Sequence, residues 1–251
     1  MKAFLEGRAH DEVFPGIWVV PRFAQEVLSI DPTDILDRLH SKYPVRGEGD
    51  AIARNVCQFV DGDNVALKYR GRVLRRCKMW LQRGEPSSVG YRRYRYTGWQ
   101  WKVLPATVDV AICPEVMPVA DAYDCFCEDA GVPRANHYIV TSYESGSHSI
   151  GWHFDKPDSI DPDSLITVVK IGACGRPFAL RRLGETEPFF AQVLAPGTAV
   201  MMTLKANLAT QHSVPEVPHA GQSGSIVFRT ITESFTEEEV ASELAVRGVP
   251  F

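Results

Sequence analysis

Residues 164–182 read SLITVVKIGACGRPFALRR. Two runs rich in β-branched, aliphatic and aromatic residues, each of strand length, flank a Gly-Ala-Cys-Gly step that suits a turn. The spacing predicts two strands and their connection. The same texture continues outward, with HYIVTSY at 137–143 upstream and FFAQVL, TAVMMTL and SIVFRTITES between 189 and 234 downstream, separated by Gly, Pro, Asp and Ser. Short strands with this punctuation predict an all-β sandwich or barrel over 136–235. Further upstream the period changes. DPTDILDRLHSKY at 31–43 predicts a helix capped by Asp31 or Thr33, with Ile35, Leu36 and Leu39 on its apolar face. PEVMPVADAYDCFCEDA at 114–130 predicts a second helix, ended by Gly131 and Pro133, that buries Val119, Tyr123 and Phe126. The tail TEEEVASELAVRGVPF predicts a short helix. The plan is therefore an N-terminal α/β part, 1–135, followed by a β-rich part, 136–235. With no linker or internal repeat evident, 1–251 is expected to form a single unit.

The chain of 251 residues is 45% hydrophobic and 23% charged, the composition of a globular protein large enough to bury its own core. It holds no apolar run long enough for a membrane span, and MKAFLEGRAHDEVF at its start lacks the apolar core of a secretory signal. The expected location is intracellular, in cytoplasm or nucleus. Six cysteines are too few for a disulfide scaffold and are expected as free thiols; Cys125 and Cys127 have no second pair with which to hold zinc. The net charge of −4 is unevenly spread. Residues 65–102 hold eleven basic residues and one acid, Glu85, which makes this segment +10 and the remainder −14. A basic block on an acidic chain suggests contact with a polyanion, or a solvated hairpin.

The chemistry concentrates at Trp152-His153-Phe154-Asp155. On an extended chain His153 and Asp155 point to the same side, so both can reach one metal. His212 follows a predicted strand and offers a third ligand. Two His and one carboxylate form the facial set of non-haem Fe(II), which leaves positions open on the metal. An isolated HxD is common in structural settings, and the distal His is what raises this one above that background. His10, His40, His137, His148 and His219 have no such partners and are expected to be structural or exposed.

At this point the sequence resembles the AlkB family of Fe(II)- and 2-oxoglutarate-dependent dioxygenases. The run from Tyr143 through Gly146 to His153 and Asp155 is similar to the family's approach to HxD. SLITVVKIGACGRPFALRR is similar to its strand–Gly-Ala-Cys–strand hairpin, and PGTAVMMTLKANLATQHSVP to the strand that leads to its distal His. CKMWLQRG and YRRYRYTG, with Pro105 beyond, resemble its nucleotide-recognition hairpins. The likeness covers about residues 75–232. It implies an α+β fold: a double-stranded β-helix (jelly-roll) core at 136–235, with an N-terminal α/β extension that carries recognition hairpins at 68–102. It implies catalytic Fe(II) at His153, Asp155 and His212, with 2-oxoglutarate and O2 as cosubstrates. The cosubstrate's far carboxylate needs a buried cation.

The chain departs from the family where that cation belongs. The family's final strand carries two arginines six apart; here it reads Ser223-Gly-Ser-Ile-Val-Phe-Arg229. Either Arg229 is the second arginine and Ser223 replaces the first, or Arg229 is the first and Phe235 takes the place of the second. Arg229 is the expected anchor, against the alternative of an outward-facing strand residue. Lys170 is the second candidate, because some other 2-oxoglutarate enzymes use a strand lysine after HxD; otherwise it is a surface residue. Tyr143 matches the family tyrosine that binds 2-oxoglutarate, unless it only fills the core, and Thr141 stands in place of the family's Asn.

The basic segment is interleaved with Tyr69, Trp80, Tyr91, Tyr94, Tyr96, Trp99 and Trp101. Cations hold phosphates and aromatics stack on unpaired or flipped bases, although Tyr and Trp also favour plain hairpin packing. The expected substrate contacts are Lys78, Arg92, Arg93, Arg95, Tyr96 and Trp99. The reading is an oxidative demethylase or hydroxylase of an alkylated base in DNA or RNA, acting as a monomer, with DNA repair as the natural setting. Its rivals are the same chemistry on a protein or small molecule, and a nucleic-acid reader that has lost turnover.

Overall fold

The computed structural model describes the chain apart from residues 48–49, 51, 62–67, 70–71, 74–75, 95–99 and 249–251, and apart from the side chains of 2–3, 68–69, 72–73, 100 and 102. Among the sequence expectations, Arg95, Tyr96 and Trp99 lie outside the described residues. The strands that shape the site are β1 (Asp11–Phe14), β2 (Ile17–Val20), β3 (Phe59–Asp61), β4 (Cys77–Gln82), β5 (His137–Tyr143), β6 (Ile150–His153), β7 (Leu165–Ile171), β8 (Arg176–Arg182), β9 (Phe190–Leu194), β10 (Ala199–Thr203), β11 (Thr210–Val214) and β12 (Ser223–Arg229). The helices are α1 (Ile35–Lys42), α2 (Met117–Ala130), α3 (Leu204–Ala209) and α4 (Glu237–Val246).

The large sheet runs β1-β2-β10-β7-β12-β5-β4-β3, with Val45–Arg46 at its far edge and Val108–Asp109 beside β4. The small sheet runs β6-β11-β8-β9. From β5 to β12 the chain crosses between the two sheets at each step except the β8–β9 hairpin, which stays in the small sheet, in the winding of a double-stranded β-helix. The N-terminal strands do not form a half of their own: β2 pairs with β10 and β4 with β5, so they extend the large sheet. β5 and β7, with neighbours on both sides and layers above and below, are buried along their whole length. This explains their near-continuous apolar sequence in place of alternation.

One apolar core lies between the large sheet and α1 and α2; a second lies between the two sheets. α1 buries Ile35, Leu36 and Leu39, and α2 buries Val119, Tyr123 and Phe126, as their spacing predicts. The cap of α1 differs from expectation. Asp34 occupies that position without a side-chain bond to the helix backbone, its carboxylate pairing instead with Arg38, while Asp31 accepts from the backbone N–H and hydroxyl of Thr33 in a local turn. Gly131 ends α2 at φ 65°, a left-handed conformation that glycine adopts without steric cost. Tyr123 stacks on Phe228 at 4.1 Å and donates its hydroxyl to Thr167 Oγ1 at 2.7 Å, which pins α2 to the centre of the sheet. All six cysteines are unpaired. Among the described residues no helix is long and apolar enough to cross a membrane.

Candidate metal centre

β6 and β11 are antiparallel neighbours, and their register sets His153 directly opposite His212. The ring centroids are 4.2 Å apart. His153 Nδ1 lies 2.8 Å from the Gly151 carbonyl. A carbonyl only accepts, so Nδ1 carries the hydrogen and the Nε2 lone pair is left for a metal. Burial lowers the His153 imidazole well below its usual range, helped by His212. Burial lowers His212 as well, with Arg229 adding to the effect. Both rings are therefore neutral at neutral pH, the state in which imidazole ligates.

Asp155 lies two residues past His153, where β6 has ended. Its backbone is held by Asn207 of α3, whose Oδ1 accepts the Asp155 N–H at 2.9 Å and whose Nδ2 donates to the Asp155 carbonyl at 2.8 Å. Ligand atoms of His153, Asp155 and His212 all come within 4.8 Å of one another. The Asp155 carboxylate is buried and fully engaged. Arg229 donates to Oδ2 from Nε at 2.9 Å and from Nη2 at 2.7 Å, and the Tyr94 hydroxyl donates to Oδ1 at 3.0 Å. Arg229 also lies over the Tyr94 ring at 4.3 Å. Burial alone would raise the carboxyl pKa, but the Arg229 charge, with the two imidazoles, outweighs it and holds the group below the usual carboxylate range. The donors are of the right type, ionisation state and proximity for Fe(II).

The sequence reading assigned Arg229 to the cosubstrate; in the structure the fork of its guanidinium faces Asp155. Phe235 is not on the same strand. β12 ends at Arg229, and Phe235 pairs with Tyr91 and packs on Trp101, so no second arginine position exists six residues on. Ser223 is fully buried, and its Oγ makes no hydrogen bond among the described residues. Lys170, far from being a surface lysine, is 2% exposed, and its Nζ makes no hydrogen bond among the described residues. Its Nζ lies 5.7 Å from the centre of the Tyr143 ring. Burial pushes its ammonium down to about 8, with the charge of Arg176 adding to that. Tyr143 and Thr141 are buried and line the same cavity as Lys170.

That cavity, about 370 Å³, lies between the sheets and is lined by all three candidate ligands. Its lining includes Arg76, Lys78, Lys156, Lys170 and Arg229 against a single carboxylate, Asp155, together with Trp152 and Phe154. The large-sheet floor follows from register. Lys78, Thr141, Ser225 and Lys170 are cross-strand neighbours on four successive strands, and all four line the cavity.

Among its described residues, the basic segment is less available than its sequence suggests. Trp80, Tyr91 and Tyr94 are buried core residues and not stacking surfaces, because β4 lies inside the sheet and Tyr94 turns inward to Asp155. Arg83 is paired with Asp121 and Asp124 of α2, and Arg93 with Glu233. Arg92 is half-buried, and its backbone N–H donates to Gln82. His40 stacks on Phe59 and bonds Ser142, His137 is buried, and His10 and His219 are exposed, in line with structural or solvent-facing roles.

Sequence reasoning missed Asn207, the inward role of Tyr94, and Arg176, which is fully buried and donates to the carbonyls of Ser145, Gly146 and His148. Asn207 lies only five residues before His212 in the same helix–strand step, a spacing that could have drawn attention to it. Replacing Asn207 by Ala is expected to lower stability by roughly 1–3 kcal/mol, because two Asp155 backbone groups lose their partners. It should also weaken iron binding; thermal denaturation and metal titration check the two effects.

The sequence pattern of the 2OG-Fe(II) oxygenase superfamily matches residues 67–240. The chain therefore belongs to that superfamily, and it is a 2-oxoglutarate-dependent dioxygenase whose cofactors are Fe(II), 2-oxoglutarate and O2. Its fold is similar to that of OsALKBH1, with a TM-score of 0.53 at 16% identity, covering 88% of this chain and 100% of that one. It is also similar to an oxidoreductase of the 2OG-Fe(II) oxygenase family from Burkholderia pseudomallei, with a TM-score of 0.50 at 14% identity, covering 94% and 92%. Among curated proteins no sequence match is found. The AlkB-like character expected from the sequence agrees with these likenesses.

Proposed function

We propose that the protein oxidises an alkylated base in nucleic acid, with His153, Asp155 and His212 as the Fe(II) ligands and Lys78, Arg92, Arg93, Arg95, Tyr96 and Trp99 as substrate contacts. The observation that carries this reading is the charge of the cavity, in which five cationic side chains face one carboxylate. Such a surplus suits two anionic ligands together, a dicarboxylate cosubstrate and a phosphate-bearing substrate. When bound, Fe(II) couples decarboxylation of 2-oxoglutarate by O2 to hydroxylation of a substrate C–H bond, with succinate and CO2 as the other products. The chain's own residues do the rest. Arg229, Tyr94 and Asn207 hold Asp155 in one orientation, the Gly151 carbonyl fixes the His153 tautomer, and the apolar walls from the two sheets limit water. On an N-methyl group the hydroxymethyl product loses formaldehyde and returns the bare base. A methyl on a ring carbon would stay hydroxylated.

Incubation with a panel of methylated DNA and RNA oligonucleotides, followed by mass spectrometry and formaldehyde assay, tests the reading. Loss of a methyl mass with matching formaldehyde is expected on at least one member. The substrate contacts have a separate test. Changing Arg92, Arg93 and Arg95 to Gln should weaken all oligonucleotides alike and flatten the salt dependence by about 0.7–0.9 in log–log slope per lost phosphate contact. Unchanged binding would favour a second reading, the same chemistry on an anionic protein or small molecule. The pairing of Arg83 and Arg93 with acidic side chains favours that alternative, since it reduces the charge offered to a polyanion.

A further inference from the structure

Accepting the metal site proposed above, the far carboxylate of 2-oxoglutarate still needs a cation, and β12 carries a single arginine, Arg229. Four buried cations, Arg229, Arg176, Arg76 and Lys170, lie in or beside the cavity, and Lys78 and Lys156 line it half-buried. Arg229 gives Nε and Nη2 to Asp155. Arg176 is spent on three backbone carbonyls of the loop before β6. Arg76 donates Nη1 to the Ser149 carbonyl at 3.0 Å. Among the described residues Lys170 alone of these four makes no hydrogen bond, although it is 2% exposed and lines the cavity. An ammonium buried without a hydrogen-bonding partner is costly, so its retention calls for an anionic partner that arrives from outside the chain.

The register gives the direction. Lys170 pairs with Ser225, and Ser225 lies four residues before Arg229 on the same face of β12. That separation is about 13 Å along the strand. Lys170 therefore enters the cavity from the end opposite the Asp155–Arg229 pair. Ser225 offers a hydroxyl on the neighbouring strand, Thr141 one more on the strand beyond, and the Tyr143 ring lies 5.7 Å from the Lys170 Nζ. A molecule that chelates a metal through one end and carries a carboxylate at the other fits this spacing of charges. We infer that Lys170 anchors the far carboxylate of 2-oxoglutarate, and that Arg229 is instead a positioning residue for Asp155.

The test uses protein loaded with Mn(II) in the absence of O2, and calorimetric titration with 2-oxoglutarate and with 2-oxopentanoate, which keeps the chelating end and ends in a methyl group. Lys170→Met replaces the ammonium by an apolar group of similar length, so the fold should persist. Wild type should prefer 2-oxoglutarate. In Lys170→Met the 2-oxoglutarate affinity should fall about ten- to hundredfold, the scale of one charge-assisted bond, with 2-oxopentanoate unchanged. Arg229→Met should instead weaken both acids alike, together with Mn(II) itself. A wild-type preference that survives in Lys170→Met overturns the inference alone, and its loss in Arg76→Met or Arg229→Met would identify the true anchor. A wild-type protein that binds neither acid overturns the site reading and the inference with it.

Discussion

Asp155→Ala should abolish iron binding and turnover and should also destabilise the iron-free protein by about 3–5 kcal/mol, because it strands a buried guanidinium. Arg229 is 5% exposed and donates two hydrogen bonds to the lost carboxylate, and Tyr94 donates a third. The sequence alone suggests a ligand variant that leaves the fold intact; the buried ion pair makes this one an exception. The conservative Asp155→Asn should recover part of the stability and none of the activity. Denaturant unfolding of the iron-free forms, with His153→Ala as the comparison, measures the difference. The histidine variant should lose little stability, since its Nδ1–H bonds an exposed-side carbonyl and its ring is half-buried.

Arg176→Ala should be nearly as damaging by a different route. This side chain is fully buried and satisfies the carbonyls of Ser145, Gly146 and His148. Each carbonyl left without a donor costs roughly 1–3 kcal/mol, and because two of the three bonds are only part-buried the total falls in the lower part of the sum, about 3–5 kcal/mol. The loop it braces leads directly into β6, so His153 should lose its position with it. The expected outcome is a lower melting temperature together with weakened metal binding in whatever fraction folds. Gly146 limits how the loop can adapt. A Cβ there would lie 1.9 Å from the Val217 carbonyl oxygen, so the backbones already meet as closely as glycine permits.

The parts legible in the sequence are those set by local pattern. Strand runs such as HYIVTSY, the helical spacing of Val119, Tyr123 and Phe126, and the HxD pair all depend on residues a few positions apart, and His212 is found by its place after a predicted strand, with the resemblance adding support. The parts that were not legible depend on groups far apart in the chain. Tyr94 and Arg229 meet Asp155 across 61 and 74 residues, and Arg83 finds its acidic partners on α2. Charge counting along 65–102 cannot see which arginines the fold has neutralised, and among the described residues of that segment Arg83 and Arg93 are paired with acids. Lys170 shows the reverse case. A lysine in a strand reads as solvent-facing, and only the two-sided burial of β7 reveals a cation held in the interior.

The claim on which the rest depends is that His153, Asp155 and His212 together form the Fe(II) site of a 2-oxoglutarate-consuming enzyme. It is tested most directly by following succinate formed from 2-oxoglutarate, alongside Fe(II) binding, in wild type, His153→Ala and His212→Ala. Wild type should bind one Fe(II) and release succinate, whereas each variant should lose iron and fall to background while its folded spectrum persists. Succinate production at the wild-type rate in either histidine variant would contradict the assignment.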